Sequence, residues 1–222
     1  MSHNRSEAKR AFARDVENHK MTVLRDEAEN RHIVFRRPET SSYWFEIVTW
    51  HGILVINGDM GTYSFSRLAG MFQFFRTDSD RGDGINPGYW AEKLTSISKF
   101  GNLMEFQAEM FNREVIRYLI NWIRDNRDRT SKEERRQLWD EVINEVIEAD
   151  ADNDGARKQI AVHDFHHQVR CGLDFQFNDF WERNFKDYSF HFYWCLYAIA
   201  WAINQYENAK LEGKSNKEEV IQ

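Results

Sequence analysis

The residue types best suited to chemistry begin with the pentad His163-Asp164-Phe165-His166-His167. On a helix, His163 and His167 stand four apart on one face, a spacing at which two imidazoles can share a zinc ion. A catalytic zinc needs a third protein ligand and commonly the glutamate base of HExxH, and here Asp164 takes the glutamate's place. Cys171, Cys195 or His191 would have to be brought in by the fold. Hydrogen-bonded histidines at a helix end are the expected reading, and a metal-dependent hydrolase is the least favoured. Just upstream, Asp150, Asp152, Asp154 and Gly155 spell D-x-D-x-D-G, the opening of an EF-hand loop. Loop position twelve must supply a bidentate carboxylate, but it is Ala161, and position eight is Arg157. An acidic loop is what remains. The chain contains no GxxxxGK[ST] and no GxGxxG, and Ser64 and Ser66 carry no nucleophile elbow. Glu46 and Asp59 are the candidate buried carboxylates. Asp59 is expected to hold its own turn, and Glu46 to pair with an arginine of a neighbouring strand such as Arg36. No catalytic, cofactor-binding or metal-ligating residue is assigned, and the expectation is a protein that is not an enzyme and needs no cofactor.

Charge offers more. Asp140, Glu141, Glu145, Glu148, Asp150, Asp152 and Asp154 follow one another with no Lys or Arg among them. On a continuous helix, Glu141, Glu145 and Glu148 form one exposed stripe. Like charges stacked this way each cost a few tenths of a kcal/mol, where a purely structural helix usually mixes signs. These seven residues are the candidates for a protein interaction, with a basic, nucleic-acid-binding groove as the surface they would meet; a solvated face ending in an acidic loop is the alternative. A second candidate is the basic run Arg124, Arg127, Arg129, Lys132, Arg135 and Arg136, which would suit nucleic acid.

The elements that must position these residues read as α+β. Over residues 43–66, strand-forming residues and tight turns follow one another without a break. Residues 21–27 and 32–37 read as a preceding hairpin. In 43–50, Trp44, Glu46, Val48 and Trp50 alternate with Tyr43, Phe45, Ile47 and Thr49, which suits a strand covered on both faces. His51-Gly52 and the 57–61 segment are turns. An antiparallel meander of about four to five strands results, packed against a larger helical C-terminal part. A short helix is expected over 5–19, and another through Leu68, Met71, Phe72 and Phe75. A polar 77–85 loop holding Arg81-Gly82-Asp83 separates that helix from one running from Asn86-Pro87 to Ile97. Further helices are expected over 108–124, from a Ser131–Glu134 capping box onward, over 156–169, and from an Asp187 cap over 188–206. One domain is expected over residues 1–222, mainly sheet to 66 and mainly helical beyond.

Composition bounds the rest. With 17 Phe, 8 Trp and 8 Tyr the chain can build a core without cross-links. Two cysteines without CxxC spacing and an N-terminus lacking an apolar segment lead to the expectation of a reducing, cytoplasmic setting. Mean hydropathy of -0.73 argues against a membrane protein, and a net charge of -6 against a general nucleic-acid coat.

The blocks WFEIVTWHGILVINGDMGTYSFSRL, MFQFFR, INPGYWAEKL and FHFYWCLYAIAWAINQYE resemble an uncharacterised accessory protein type of tailed bacteriophages and prophages. The resemblance covers most of residues 43–98 and 175–207. It carries no catalytic residues. It implies a counter-defence role, the anti-CRISPR-like inhibition of a bacterial defence protein or complex in the host cytoplasm. A helper in phage DNA metabolism is the alternative. Self-association is a further expectation, a membrane partner is not, and nucleic acid stays open.

Overall fold

The computed structural model describes residues 3–67, 70–76, 84–99, 101–150 and 155–219, with the backbone alone for Trp181 and for 214–219. Where one domain divided at residue 66 was expected, the chain partitions differently. Residues 1–103 and 188–222 form one compact unit, and 104–187 form another. The long apolar helix belongs with the sheet although it lies far from it in sequence.

The first unit is built on an antiparallel meander. Its strands are β1 (Lys20–Glu27), β2 (Asn30–Arg36), β3 (Phe45–Trp50), β4 (Ile53–Gly58), β5 (Gly61–Ser66) and β6 (Leu94–Ile97), each pairing with the next. The turns are tight: Trp50 pairs with Ile53 and Gly58 with Gly61, leaving two residues in each loop. Gly52 has φ +70°, and a Cβ there would lie 2.4 Å from the carbonyl oxygen of Arg67, so only glycine fits. The sixth strand lies where the helix from Pro87 was expected to continue. That helix, α3 after α1 (His3–Asp15) and α2 (Met71–Phe75), ends at Ala91. Asn86 accepts the backbone N–H of Tyr89, as an N-cap should. Helical propensity over Thr95-Ser96 is weak, and the open edge of β5 offers Tyr63, Ser64 and Phe65 as ladder partners instead.

Period two sorts the sheet's faces. Ile33, Phe35, Phe45, Ile47, Leu54, Ile56, Tyr63 and Phe65 are all at or below 1% exposure. Covering both faces of β3 was expected; only one is covered, for Glu46 and Val48 are half-buried and Trp50 is 45% exposed. The inner face packs under α1 and the last helix, Phe190–Glu219. Phe45 stacks on Phe35 at 4.9 Å and meets Trp194 edge-on at 5.7 Å, and Trp194 meets Phe12 of α1 at 5.2 Å. Each such pair adds roughly 0.5–1.5 kcal/mol beyond its area. The indole N–H of Trp194 donates to the buried Asp15 carboxylate at 3.2 Å, so the ring's polar atom is satisfied inside the core. The last helix opens at Ser189 and not at Asp187: the Ser189 hydroxyl accepts the backbone N–H of Phe192 at 3.1 Å. No helix among the described residues is long and apolar enough to cross a membrane.

The second unit is continuous in sequence: β7 (Met104–Phe106), α4 (Ala108–Asp125), α5 (Lys132–Val142) running into a π-turn over Ile143–Ile147, α6 (Ala156–Asp164), the hairpin β8 (His166–Arg170) and β9 (Leu173–Gln176), and β10 (Lys186–Tyr188), which pairs with β7. Phe111, Val115 and Leu119 of α4 are fully buried with Leu138 and Val142 of α5 and Phe175 of β9. The Ser131–Glu134 capping box forms in both directions. The helix expected over 156–169 stops at Asp164, because Val169, Leu173 and Phe175 bury themselves with the period of a strand around the Cys171-Gly172 turn.

Candidate interaction surfaces

Glu141, Glu145 and Glu148 do not form one stripe. The π-turn bonds Glu148 N–H to the Ile143 carbonyl at 2.9 Å, five residues back, which breaks the 3.6-residue period the stripe requires. Glu141 accepts from Nδ1 of the buried His167 at 2.5 Å. Asp140 lies 3.7 Å from Arg136, and Asp150 lies 3.9 Å from Arg157. Partners from outside the acidic stretch thus reach three of the seven candidates. Glu145 and Glu148 are exposed and unpaired with any cation among the described residues. Asp152 and Asp154 lie outside the described residues, as does the Arg81-Gly82-Asp83 triplet.

The histidine pentad is likewise divided. His163 ends α6, its Nδ1 2.8 Å from Asp164, while His166 and His167 belong to β8. His163 and His167 therefore share no helix face, since the backbone changes from helix to strand between them. Among the described residues no three His, Cys, Asp or Glu side chains group as a metal site would require. Cys171 and Cys195 are both free thiols, and burial pushes the Cys195 thiol far above its ordinary range.

Two further ties hold α5 and the π-turn that follows it to their neighbours. Arg170 of β8 grips Glu134 with Nε at 3.2 Å and Nη2 at 2.5 Å. Those bonds, with the Ser131 backbone N–H, bring the Glu134 carboxyl down to about 2. Lys158 of α6 is only 4% exposed, and its ammonium donates to the Ile147 carbonyl at 2.6 Å and to Asn112 at 3.3 Å. In the basic run, Arg135 turns back onto the Thr130 and Arg127 carbonyls, Arg136 pairs with Asp140, and Arg124 pairs with Asp125. Arg127, Arg129 and Lys132 are exposed.

The open sheet face holds a polar line that the sequence reading missed. Thr62 Oγ1 donates to Asn57 Oδ1 at 2.7 Å, Asn57 Nδ2 donates to Glu46 at 2.9 Å, and Glu46 faces His32 Nε2 at 2.7 Å. Glu46 therefore does not pair with Arg36. Burial pushes its carboxyl up, but the Asn57 and His32 hydrogen bonds outweigh that and leave it below the ordinary value. All four residues occupy outward positions, so the signal was present in the parity of the strands. It became readable only with the register, which sets Glu46 opposite Asn57 and Asn57 opposite Thr62. Asp59, expected to hold its own turn, instead accepts the Tyr43 backbone N–H at 2.5 Å and so ties the β4–β5 turn to the segment that leads into β3. Beside this face the β2–β3 loop frames a cleft of about 530 Å³ lined by Val34, Arg36, Arg37, Glu39, Ser41 and Trp44, among others.

Comparison with family models, with curated proteins and with solved structures finds no match.

Proposed function

We propose that the protein acts by binding another macromolecule through its acidic second unit, as a phage-encoded, non-enzymatic inhibitor of a bacterial anti-phage defence protein or complex. The observation that carries this reading is where the charge lies. Residues 104–187 hold 13 Lys and Arg against 19 Asp and Glu, which equals the whole formal excess of -6, while the first unit is balanced. Within that unit Glu145 and Glu148 project from a π-turn with no cation on them among the described residues. An anionic protein surface of this kind competes with a phosphate backbone for a basic groove and speeds encounter with it. The phage context, and with it a defence protein as the target, comes from the resemblance of the sequence blocks.

Affinity capture from host cells carrying defence systems tests the reading. A specific partner that dissociates as salt is raised, and is lost from the Glu145→Lys/Glu148→Lys double variant, is the expected result. Capture unchanged by that double charge reversal removes the acidic surface from consideration. A second reading rests on the exposed cations Arg127, Arg129 and Lys132: a nucleic-acid-binding helper in phage DNA metabolism. A salt-dependent gel shift with single- or double-stranded DNA, abolished by changing those three to Ala, would favour it over the acidic inhibitor.

A further inference from the structure

The cleft framed by the β2–β3 loop belongs to the first unit. Its volume, about 530 Å³, is within the range of small-ligand sites. What distinguishes it is the state of its charged groups. Arg37 is committed: its Nη2 donates to the Asp15 carbonyl at 3.0 Å and to the Arg14 carbonyl at 3.4 Å, closing the C-terminal end of α1. That anchor fixes the loop's first residue against the helix. Arg36 and Glu39, on either side of it, are exposed and have no hydrogen-bond or ion-pair partner among the described residues. A cation and a carboxylate thus line one cleft without meeting each other, and the aromatic wall is Trp44, half-buried and held through its carbonyl by the Asp59 backbone N–H at 3.1 Å.

A guanidinium takes phosphate or carboxylate, an indole takes a flat ring by stacking, and a carboxylate takes a pair of N–H donors. One class of ligand carries all three features on one small frame. We propose that this cleft binds a purine nucleotide, with the base on Trp44, the amino edge of the base on Glu39 and the phosphate on Arg36. Val34 adds apolar surface to the lining, and its strand partner Glu46 is locked in the His32–Glu46–Asn57–Thr62 line, so the strand beneath the cleft is already ordered before a ligand arrives.

Isothermal titration calorimetry of the full chain with GMP, AMP, guanosine and inorganic phosphate tests this. The expected result is saturable binding of at least one nucleotide, weaker binding of guanosine and of phosphate, and a loss of about tenfold or more in affinity for Arg36→Ala and for Trp44→Ala. Trp50→Ala, on the same face but outside the cleft, should bind as the parent does. No saturable binding of either nucleotide up to about 5 mM overturns the proposal. So does phosphate binding as tightly as the nucleotide, or either cleft variant binding like the parent. If Trp44→Ala melts well below the parent, Arg36→Glu decides the matter alone, because an exposed side chain can be changed without unfolding the sheet.

Discussion

The ammonium of Lys158 stands 2.6 Å from the carbonyl oxygen of Ile147, where it closes the end of the π-turn that carries Glu145. A helix end leaves its last carbonyls without backbone partners, and here a buried cation from the next helix supplies a donor. Burial also lowers the pKa of that lysine. Lys158→Met keeps the length of the side chain and removes the donor, so the carbonyls are left buried. The expected loss is about 1–3 kcal/mol of unfolding free energy, measured by urea denaturation. Hydrogen exchange should accelerate first over residues 143–150. Unchanged exchange there would show that the lysine does not hold the turn.

Acid should act on the Glu134–Arg170 tie. The Arg170 hydrogen bonds, then the Ser131 N–H, hold the Glu134 carboxyl at about 2 against an ordinary 4.5. A carboxyl depressed in the folded state contributes stability above its unfolded value and loses it as pH falls toward the folded one. The second unit should therefore weaken as pH drops from 4.5 to about 2, and Glu134→Gln should flatten that part of the profile. Carboxyl NMR titration checks the premise, and a Glu134 midpoint near 4.5 would refute it.

His19 gives a second pH dependence, in the first unit. Burial lowers its pKa below 6.5, the Tyr43 carbonyl 2.9 Å from Nε2 only partly offsets this, and Nδ1 is buried without a partner among the described residues. The unfolded chain then binds a proton that the folded chain does not, so stability rises with pH through the window just below 6.5. Thermal melts across that window should show a rising midpoint in the parent and a flatter one in His19→Gln. Equal slopes in the two proteins would exclude His19 as the source.

Gly155 opens α6 at φ +70°, and a Cβ there would lie 2.2 Å from the ring of Phe106. Backbone strain and overpacking act together in Gly155→Ala, for a cost of roughly 2–4 kcal/mol. Adding Phe106→Leu should recover part of it, since it gives the new methyl room without mending the backbone. A double variant no more stable than Gly155→Ala would show that the backbone term alone sets the cost.

Residues 104–187 form a continuous unit with their own buried cluster, from Phe111 to Phe185. Expressed alone, this segment should give a cooperative melt and dispersed amide resonances. Residues 1–103 alone should give neither, because Trp194, Leu196, Ile199 and Ile203 are all at or below 1% exposure and complete the sheet's core. A folded 1–103 fragment would contradict that account.

Much of the α+β architecture was legible. The β3–β5 meander could be read because alternation and a glycine turn agree, and α5 because Ser131 and Glu134 announce its start. Errors arose where a helix signal was extended past its support. The Asn86-Pro87 cap is real, yet β6 begins three residues after α3 ends. The β8–β9 hairpin was hidden by the histidine spacing, which matches a helix although Val169, Leu173 and Phe175 keep the period of a strand. Of the acidic candidates, local composition showed that no cation lay among them, but not that His167, Arg136 and Arg157 would reach in from outside. The Arg36–Glu39–Trp44 cleft was invisible because none of its residues is unusual alone; the loop's fold collects them.

The division of the chain also dictates an order of assembly. On the ribosome the meander emerges well before the long helix that packs on it beside α1, with Phe35, Phe45, Ile47 and Phe65 already alternating. All of 104–187 must be synthesised in between, at about 5–20 residues per second. The inserted unit has every residue it needs while the sheet still lacks its cover. For several seconds in each round of translation, the aromatic face lacks its longer cover and is open to chaperones, to proteases and to other nascent copies of itself.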